Sequence, residues 1–369
     1  MPYTHFQFIA YQVPTAAHGR VTRAMVPAFE PGTEIAAERF APIRVEDSLP
    51  DDARIRLKRL AAAVKSASNN LKKGVKDAPN VLKVFVVPEF YFRPSGTRHC
   101  TYSYDDATRL FEQMDVMFVD PEFKDWLFVL GTVMWHMDEK RHWDEETQQW
   151  VEGKAHYRNS AVYVRGNQAP DSLRIIEKEV PSRLDGVPNP YVNDGAGYDP
   201  STQQVFTDWL FRKSHVFDVG GVTCGLEICL DHAYSNHDPI GGNHRVLKNV
   251  LRDWPVVPAP DVKLHVLTAG GMKIAPQSVA AMPSGFILRN DGYSGDPQTE
   301  LRSIGLYRRS VEFSSVVPAS DLRGVANLKV IPQVGFLGFP DDQQIPIDGT
   351  QYSSFDQGLK FFPVQKLPR

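Results

Sequence analysis

The sequence has little cysteine, almost no excess charge and no long apolar run, and each of these absences argues against a class of protein. Three cysteines in 369 residues, Cys100, Cys224 and Cys229, are too few for a disulfide framework, and their odd number favours a reducing compartment. A net charge of -3 gives no electrostatic reason to expect nucleic acid or an anionic membrane as a partner. No run reaches the roughly 18 apolar residues of a membrane-spanning helix.

Signals for export and for a structural metal are also missing. Residues 1–20 lack the basic start and the apolar core of a signal peptide. Cys224 and Cys229 have the spacing C-x4-C, and no matching Cys/His pair follows them, which argues against a structural zinc site. We therefore expect a soluble, cytoplasmic protein with no nucleic-acid or membrane partner.

Helical and strand patterns alternate along most of the chain. The runs 81–87 and 126–135 are nearly continuous in apolar residues, which is typical of strands covered on both faces. Residues 50–74 have apolar side chains near helical spacing, acids at the start, and lysines and a glycine at the end, so a helix is predicted there. Further strands are predicted at 5–14, 157–166, 172–182, 261–271 and, as a hairpin, 215–231, with a second helix at 106–123. This alternation predicts an α/β layered fold.

Three polar residues, Glu89, Lys178 and Cys229, each occur at the carboxyl end of a predicted buried strand, where ligands of open α/β sheets gather. Each also has a plain structural interpretation. Cys229 can be a buried apolar residue, as free cysteines often are, and we assign that role to Cys224, which lies away from the strand end. Glu89 is either a desolvated general base or a salt-bridged loop residue, and Lys178 is either functional or part of a solvated charge run.

A thiol nucleophile at Cys229 needs a base, and the sequence offers two. His232 lies only three residues away, whereas thiol proteases usually take their histidine from a distant part of the sequence. The rival is the carboxylate of Glu89, with Lys178 placing a positive charge beside the thiolate and the developing oxyanion.

Six segments together resemble the nitrilase superfamily, the carbon–nitrogen hydrolases with a Glu-Lys-Cys triad. In chain order they are "FIAYQVP", "VFVVPEF", "LFVLGTV", "RNSAVYVRGN", "GGVTCGLEICLD" and "VKLHVLTAGG", spread over about residues 5–290. Glu89, Lys178 and Cys229 occur in the family's order. Lys213 is a rival lysine, and we favour Lys178 because the Asn-Ser-Ala strand precedes it.

The resemblance implies a four-layer αββα sandwich that forms a homodimer or a larger homo-oligomer. We assign residues 1–300 to the carbon–nitrogen hydrolase domain and 301–369 to a C-terminal extension that packs on the same domain or on a partner subunit. No metal and no organic cofactor is implied.

The resemblance also implies a mechanism. Cys229 attacks an amide or nitrile carbon, Glu89 acts as general base and acid, and Lys178 stabilises the tetrahedral intermediate, so that water releases the acid from a thioester. The backbone N–H of Leu230 is expected to contribute to the oxyanion site.

Two departures from the family pattern bear on this mechanism. Many members carry a second glutamate between the lysine and the cysteine, whereas residues 180–226 contain none; Asp185, Asp194 or Asp199 is expected to substitute, or the role is absent. Leu230 stands where nitrile-hydrolysing members commonly have tryptophan, and this favours an amide or carbamoyl substrate over a nitrile.

Candidate substrate-binding residues are Arg93, His99, Asp185 and His232, with Arg98 as a further cation. Arginine binds a carboxylate in a bidentate manner, although each of these residues can also be an ordinary loop side chain. The predicted loops at 15–50, 93–105, 138–156 and 183–205 are expected to shape the pocket.

Three functional alternatives stay open at this point. The same site can hydrolyse nitriles, or it can transfer the acyl group to an amine in place of water. From another class, the chain can be a nitrilase-fold binding protein without turnover.

Overall fold

The computed structural model describes most of the chain. The described residues are 2–15, 48–71, 74–95, 100–138, 142–144, 146–151, 155–168, 172–185, 215–234, 244–256, 258–293, 299–308, 325–340, 344 and 357–369. Most of the loops predicted at 15–50 and 183–205 therefore lie outside the described residues. So do five residues that the sequence singled out, Arg98, His99, Asp194, Asp199 and Lys213.

The helices and strands follow the predicted alternation. The strands are β1 (His5–Gln12), β2 (Val81–Val86), β3 (Tyr102–Ser103), β4 (Trp126–Asp138), β5 (His142–Asp144), β6 (Gln149–Val151), β7 (Ala155–Arg165), β8 (Arg174–Glu177), β9 (Val216–Val219), β10 (Val222–Ile228), β11 (Leu264–Ala269), β12 (Phe286–Asp291), β13 (Glu300–Arg308), β14 (Val325–Ile331), β15 (Gly335–Gly338), β16 (Gly358–Phe361) and β17 (Gln365–Lys366). The α-helices of the described residues are α1 (Asp51–Asn70), α2 (Tyr104–Val116) and α3 (Val246–Arg252). Short 3-10 turns occupy Pro121–Phe123, Arg183–Asp185 and Cys229–His232.

Two sheets contain all of these strands except the hairpin of β5 and β6. The larger sheet has the order β15-β16-β1-β2-β4-β7-β8, with β17 beside β1 and β3 beside β4. The smaller sheet has the order β14-β13-β12-β11-β10-β9. The centre of each sheet is parallel, with β1, β2 and β4 in one and β10, β11 and β12 in the other. Parallel strands of this kind are covered on both faces.

Alternate residues of the central strands face different layers. On β1 and β2, Phe8 and Val84 lie in the core between the two sheets, whereas Ile9 and Phe85 pack on the helical side. Every residue of β2 is buried. This double burial is the reason that the run 81–87 is almost continuously apolar.

Three apolar cores separate four layers. The first lies between the sheets and contains Cys224, which confirms its predicted role as a core residue. The second packs α1 and α2 on the larger sheet, and the third packs Leu247 and Val250 of α3 against Leu267 and Ile287 of the smaller sheet. The order helix, sheet, sheet, helix confirms the predicted αββα sandwich.

Helix α1 supports the segment that carries Glu89. Arg56 of α1 is buried, and its guanidinium donates to the carbonyl oxygens of Tyr91 at 2.5 Å and Arg93 at 2.7 Å. Asp52, one turn earlier, accepts from Arg56 Nε at 2.7 Å and neutralises the buried charge. The chain after β2 is therefore tied to the helical layer at two carbonyls.

Residues after 300 belong to both sheets. Strands β13 and β14 extend the smaller sheet beyond β12, and β16 and β17 both pair with β1 in the larger sheet. In the described part of the chain, no helix has the length and apolarity to cross a membrane.

Candidate active site

The three residues that the sequence singled out lie just beyond the ends of three strands. Lys178 follows β8 directly, Cys229 follows β10 directly, and Glu89 comes three residues after the end of β2. All three side chains are buried. The fold therefore brings polar groups from both sheets to the carboxyl ends of the strands, where α/β proteins bind ligands.

The ammonium of Lys178 lies between two carboxylates. Its Nζ atom is 2.8 Å from Oε1 of Glu89, 2.9 Å from Oδ1 of Asp185 and 3.2 Å from Oδ2 of Asp185. The side chains of Lys178, Glu89 and Asp185 have no exposed surface. Of the three aspartates that the sequence offered in place of the family's second glutamate, Asp185 is the one that contacts the lysine, and the other two lie outside the described residues.

Asn159 of β7 connects the same two carboxylates. Its Nδ2 group donates to Oε1 of Glu89 at 2.9 Å and to Oδ1 of Asp185 at 3.0 Å. Sequence reasoning did not select Asn159 as a site residue, although it stands in the segment "RNSAVYVRGN" that carries the resemblance. That segment was the signal that could have identified it.

Burial and charge act against each other in this group. Burial, together with the charge of Asp185, raises the pKa of Glu89 although the Lys178 ammonium lowers it. Burial disfavours the charged form of Lys178, but the carboxylates of Asp185 and Glu89 outweigh it and raise the lysine pKa. Lys178 is therefore a fixed positive charge, and Glu89 is a carboxylate with a raised affinity for a proton.

The two carboxylate oxygens of Glu89 differ in their hydrogen bonds. Oε1 accepts from Lys178 and Asn159, whereas Oε2 has no hydrogen-bond donor among the described residues. Oε2 lies on the side of Gly270, where a Cβ atom would come within 3.1 Å of it.

Cys229 has an unusual backbone and a thiol with a raised pKa. Its φ angle is 46°, a left-handed conformation that is unfavourable for a residue with a Cβ atom. Burial and then the neighbouring Glu89 carboxylate raise the pKa of the thiol well above its ordinary value, whereas the Lys178 ammonium and the backbone of Gly270 act in the opposite direction. The thiol therefore lies within the electrostatic influence of both Glu89 and Lys178.

A second left-handed residue lies beside the site. Phe90, next to Glu89, has a φ angle of 63°, and its N–H donates to Oγ1 of Thr132 at 2.8 Å. The Nζ atom of Lys178 lies 5.6 Å from the centre of the Phe90 ring. Strained backbone of this kind clusters at functional sites, where the surrounding contacts hold it in place.

The turn that carries Cys229 is tied to the segment that carries Lys178. The carboxylate of Asp231 accepts from the N–H of Val180 at 2.8 Å and from the N–H of Glu179 at 3.3 Å. Leu230, between Cys229 and Asp231, is half-buried in the same 3-10 turn. Asp231 therefore holds the turn that begins at Cys229 against the segment that follows Lys178.

The candidate substrate-binding residues lie in different surroundings. Arg93 is buried and donates to the carbonyl oxygens of Leu184 at 2.6 Å and Asp185 at 2.9 Å. Asp185 itself is occupied by Lys178 and Asn159. His232 is paired with Glu227 through Nδ1 at 2.5 Å, and His99 lies outside the described residues.

Comparisons with known proteins were made on both the sequence and the fold. No protein-family model and no curated protein matches the sequence. Similar solved structures include a cysteine-to-serine mutant of an amidase of Nesterenkonia sp. AN1, described as from the nitrilase superfamily, with TM-score 0.39 and 10% identity over 99% of this chain and 92% of that chain.

Two more of the similar structures are of the same amidase. A cysteine-to-alanine mutant in complex with butyramide has TM-score 0.38 and 9% identity over 81% of this chain and 84% of that chain. A glutamate-to-glutamine mutant, showing the result of Michael addition of acrylamide at the active site cysteine, has TM-score 0.38 and 9% identity over 81% and 85% of the two chains.

Proposed function

We propose that this chain is a thiol amidohydrolase of the nitrilase superfamily, which cleaves the C–N bond of a small amide or carbamoyl compound. The observation that carries the proposal is the buried contact of Lys178 with Glu89 beside the thiol of Cys229. A buried ion pair with an adjacent cysteine in a strained turn has the parts of a nucleophilic site, namely nucleophile, base and fixed cation.

The first step is attack by Cys229. The sulfur forms a bond to the carbonyl carbon, and the thiol proton passes to Oε2 of Glu89, the oxygen that has no donor among the described residues. Negative charge develops on the carbonyl oxygen, where the Lys178 ammonium and the N–H of Leu230 stabilise it. Because the resting thiol holds its proton, deprotonation and attack occur together, and a carboxylate with a raised pKa is suited to that task.

The second and third steps return the site to its starting state. The tetrahedral intermediate collapses with cleavage of the C–N bond, and Glu89 gives its proton to the leaving nitrogen, which leaves a thioester on Cys229. Water then attacks the thioester while Glu89 accepts its proton. The C–S bond breaks, the acid leaves, and the sulfur recovers a proton from Glu89.

Asp185 and Asn159 act in this proposal as positioning residues. Both contact Glu89 or Lys178 directly, and Arg93 holds the backbone of Asp185. We propose this role for Asp185 and Arg93 in place of the substrate contacts that the sequence suggested, because both side chains are already occupied by protein groups.

The proposal is tested by trapping the thioester. The full chain is incubated with libraries of amides, ureido compounds and nitriles, and intact mass is measured after acid quenching. An acyl adduct on Cys229 that disappears in Cys229→Ala, with release of ammonia or amine, is the expected result. Cys224→Ala is the matched control, because Cys224 lies in the core and its loss leaves the adduct in place.

The same experiment separates the alternatives. If a compound binds the native protein and Cys229→Ala equally well and forms no adduct with either, the proposal is contradicted and the chain is a binding protein. Product analysis in the presence of a simple amine distinguishes transfer from hydrolysis, since transfer converts the thioester to a new amide whereas hydrolysis releases the acid. An adduct from nitriles alone contradicts the amide or carbamoyl preference that Leu230 suggests.

A further inference from the structure

A buried cluster of ionisable residues lies behind Cys229 and is not part of the proposed triad. It consists of Glu227, His232 and His265, and is called the Glu227 cluster below. Glu227 lies on β10 two residues before Cys229, His232 ends the 3-10 turn that Cys229 begins, and His265 lies on the neighbouring strand β11. None of the three has exposed surface.

The carboxylate of Glu227 accepts hydrogen bonds from three different elements. Oε2 accepts from Nδ1 of His232 at 2.5 Å and from Nε2 of His265 at 2.9 Å, and Oε1 accepts from the N–H of Leu247 in α3 at 2.7 Å. Burial disfavours the charged carboxylate, but the two histidines outweigh it and lower the pKa of Glu227 to about 2. Glu227 is therefore an ionised acceptor that joins the turn, β11 and α3.

Two histidines and a glutamate are also a ligand set for a metal ion, and their ligand atoms lie within 4.8 Å of one another. The surroundings of His265 do not fit that use. Its Nδ1 accepts from the N–H of Ala280 at 3.2 Å, so its ring proton lies on Nε2, the atom that faces Glu227. A metal bound to Nε2 would require the ring proton to be on Nδ1. That proton would then face the N–H of Ala280, and the hydrogen bond between them would be lost. The cluster is therefore a hydrogen-bond network.

The direction of Glu227 follows from its place on the strand. Its neighbours Leu226 and Ile228 enter the core between the sheets, so Glu227 faces the opposite side, toward α3. The chain then reverses at Cys229 with its left-handed φ of 46°. Such a backbone persists only where nearby contacts determine it. Here the contacts are Asp231 on one side of the turn and His232, held by Glu227, on the other.

We propose that Glu227 is a positioning residue for Cys229, acting through His232 to fix the turn that directs the thiol toward Glu89 and Lys178. The proposal rests on the proposed role of Cys229 as nucleophile. A carboxylate fits this position because both of its oxygens are used as acceptors, Oε2 by the two histidines and Oε1 by the N–H of Leu247. A glutamine has one acceptor oxygen, so its NH2 group would face either the N–H of Leu247 or the ring N–H groups of the two histidines, and at least one of these hydrogen bonds would be lost.

The test uses the full chain and iodoacetamide, which alkylates sulfur with loss of iodide and needs no known substrate. Alkylation of Cys229 and of the half-exposed Cys100 is followed by peptide mass mapping across a pH series, well below the melting temperature. In Glu227→Gln the rate at Cys229 is expected to fall by about tenfold to a hundredfold, since small misplacements of reacting groups cost that much. The pH profile at Cys229 is expected to shift, while Cys100 is unchanged.

A matched control and a pair of variants at His232 make the result specific. Glu122→Gln removes another carboxylate with two donors, Lys65 and Ser68, and is expected to leave Cys229 reactivity as in the native protein. His232→Asn keeps an N–H donor near the position of Nδ1, whereas His232→Leu does not, so the asparagine variant is expected to react faster. If Glu227→Gln does not fold, the comparison of these two variants decides the question.

Native reactivity and an unmoved pH profile in Glu227→Gln overturn the positioning role, as do equal rates in the two His232 variants. A stoichiometric metal in the native protein that is lost in Glu227→Gln also overturns it. Failure of the proposed function gives a different result. In that case iodoacetamide alkylates Cys229 as fast in Glu89→Gln as in the native protein.

Discussion

The Nζ atom of Lys178 lies 2.8 Å from Oε1 of Glu89, and neither side chain has exposed surface. A buried pair of this kind is costly to break, because removal of one partner leaves the other charge without compensation. Here the cost is greater still, since Asp185 places a second carboxylate on the same ammonium. The pair therefore links the reactivity of the site to the stability of the protein.

Lys178→Met should destabilise the protein in a pH-dependent way. It leaves Glu89 and Asp185 facing each other without a cation, so we expect a loss of about 3–5 kcal/mol in the free energy of unfolding at neutral pH. Burial already raises the pKa of Glu89, and without the Lys178 ammonium that pKa rises further above its unfolded value, so the variant is most stable at low pH and loses stability as pH rises.

Urea unfolding of Lys178→Met at several pH values measures this loss. Lys65→Met, which removes a partly exposed pair with Glu122, should cost no more than about 1 kcal/mol. The double variant with Asp185→Asn should recover part of the loss. A pH-independent loss, or no loss, would contradict the arrangement of charges.

Asp185→Asn should shift the acid limb of the pH–rate profile. Burial and then the charge of Asp185 raise the pKa of Glu89, so removal of that charge lowers it. Glu89 acts as base only when it is deprotonated, and the rate of Cys229 alkylation should therefore persist to lower pH. Iodoacetamide kinetics across a pH series give the measurement, and the control is Asp125→Asn, which removes a carboxylate that accepts from the hydroxyl of Tyr3 at 3.1 Å. If the acid limb of the profile stays in place or shifts to higher pH in Asp185→Asn, the charge of Asp185 does not raise the pKa of Glu89.

Gly270→Ala should disturb the site with little effect on the rest of the fold. The added Cβ would lie 2.8 Å from Cε2 of Phe90 and 3.1 Å from Oε2 of Glu89, so one of these side chains must move. We expect the rate of Cys229 alkylation to fall by about a hundredfold. Gly305→Ala is the control, because its Cβ meets its nearest atom, Asn327 O, at 3.4 Å. Equal rates in the two variants would show that Gly270 is not close-packed on the site.

Glu227 should contribute stability that is lost in acid. Its pKa in the folded protein is about 2 against an ordinary 4.5, so the contribution is complete above pH 4.5 and disappears as pH falls toward 2. A difference of this size corresponds to about 3 kcal/mol at 1.36 kcal/mol per pKa unit. Urea unfolding at pH 6 and pH 3 should show a smaller pH effect in Glu227→Gln than in the native protein. If the native protein and Glu227→Gln lose the same free energy of unfolding between pH 6 and pH 3, Glu227 is not an ionised, buried carboxylate.

The sequence predicted the layered fold and the approximate place of each central strand. It could do so because strands covered on both faces, such as 81–87, read as unbroken apolar runs, and α1 has charge and glycine signals at its ends. Helix α3 was not predicted. It has seven residues, which is shorter than the window over which helical periodicity can be recognised.

The site was predicted less completely than the fold. Glu89, Lys178 and Cys229 were selected because each follows a strand, which is a local property of the sequence. Asn159 and Glu227 contact residues that are distant in the sequence, Glu89 for the first and His265, 38 positions away, for the second. Such contacts depend on strand register and side-chain direction, which a single sequence does not reveal.

The pairing of β1 has a consequence for how the chain folds during synthesis. One edge of β1 meets β2, but the other meets β16 and β17, and Gln7 donates to the carbonyl of Phe362 across 355 positions. At about 5–20 residues per second, the ribosome needs roughly twenty seconds to a minute to deliver that partner. Until then the nascent sheet keeps an unpaired apolar edge, including Phe8, which later stacks on Phe362. Unpaired edges recruit other chains, so a nascent chain is open to association through β1 until β16 and β17 have been made.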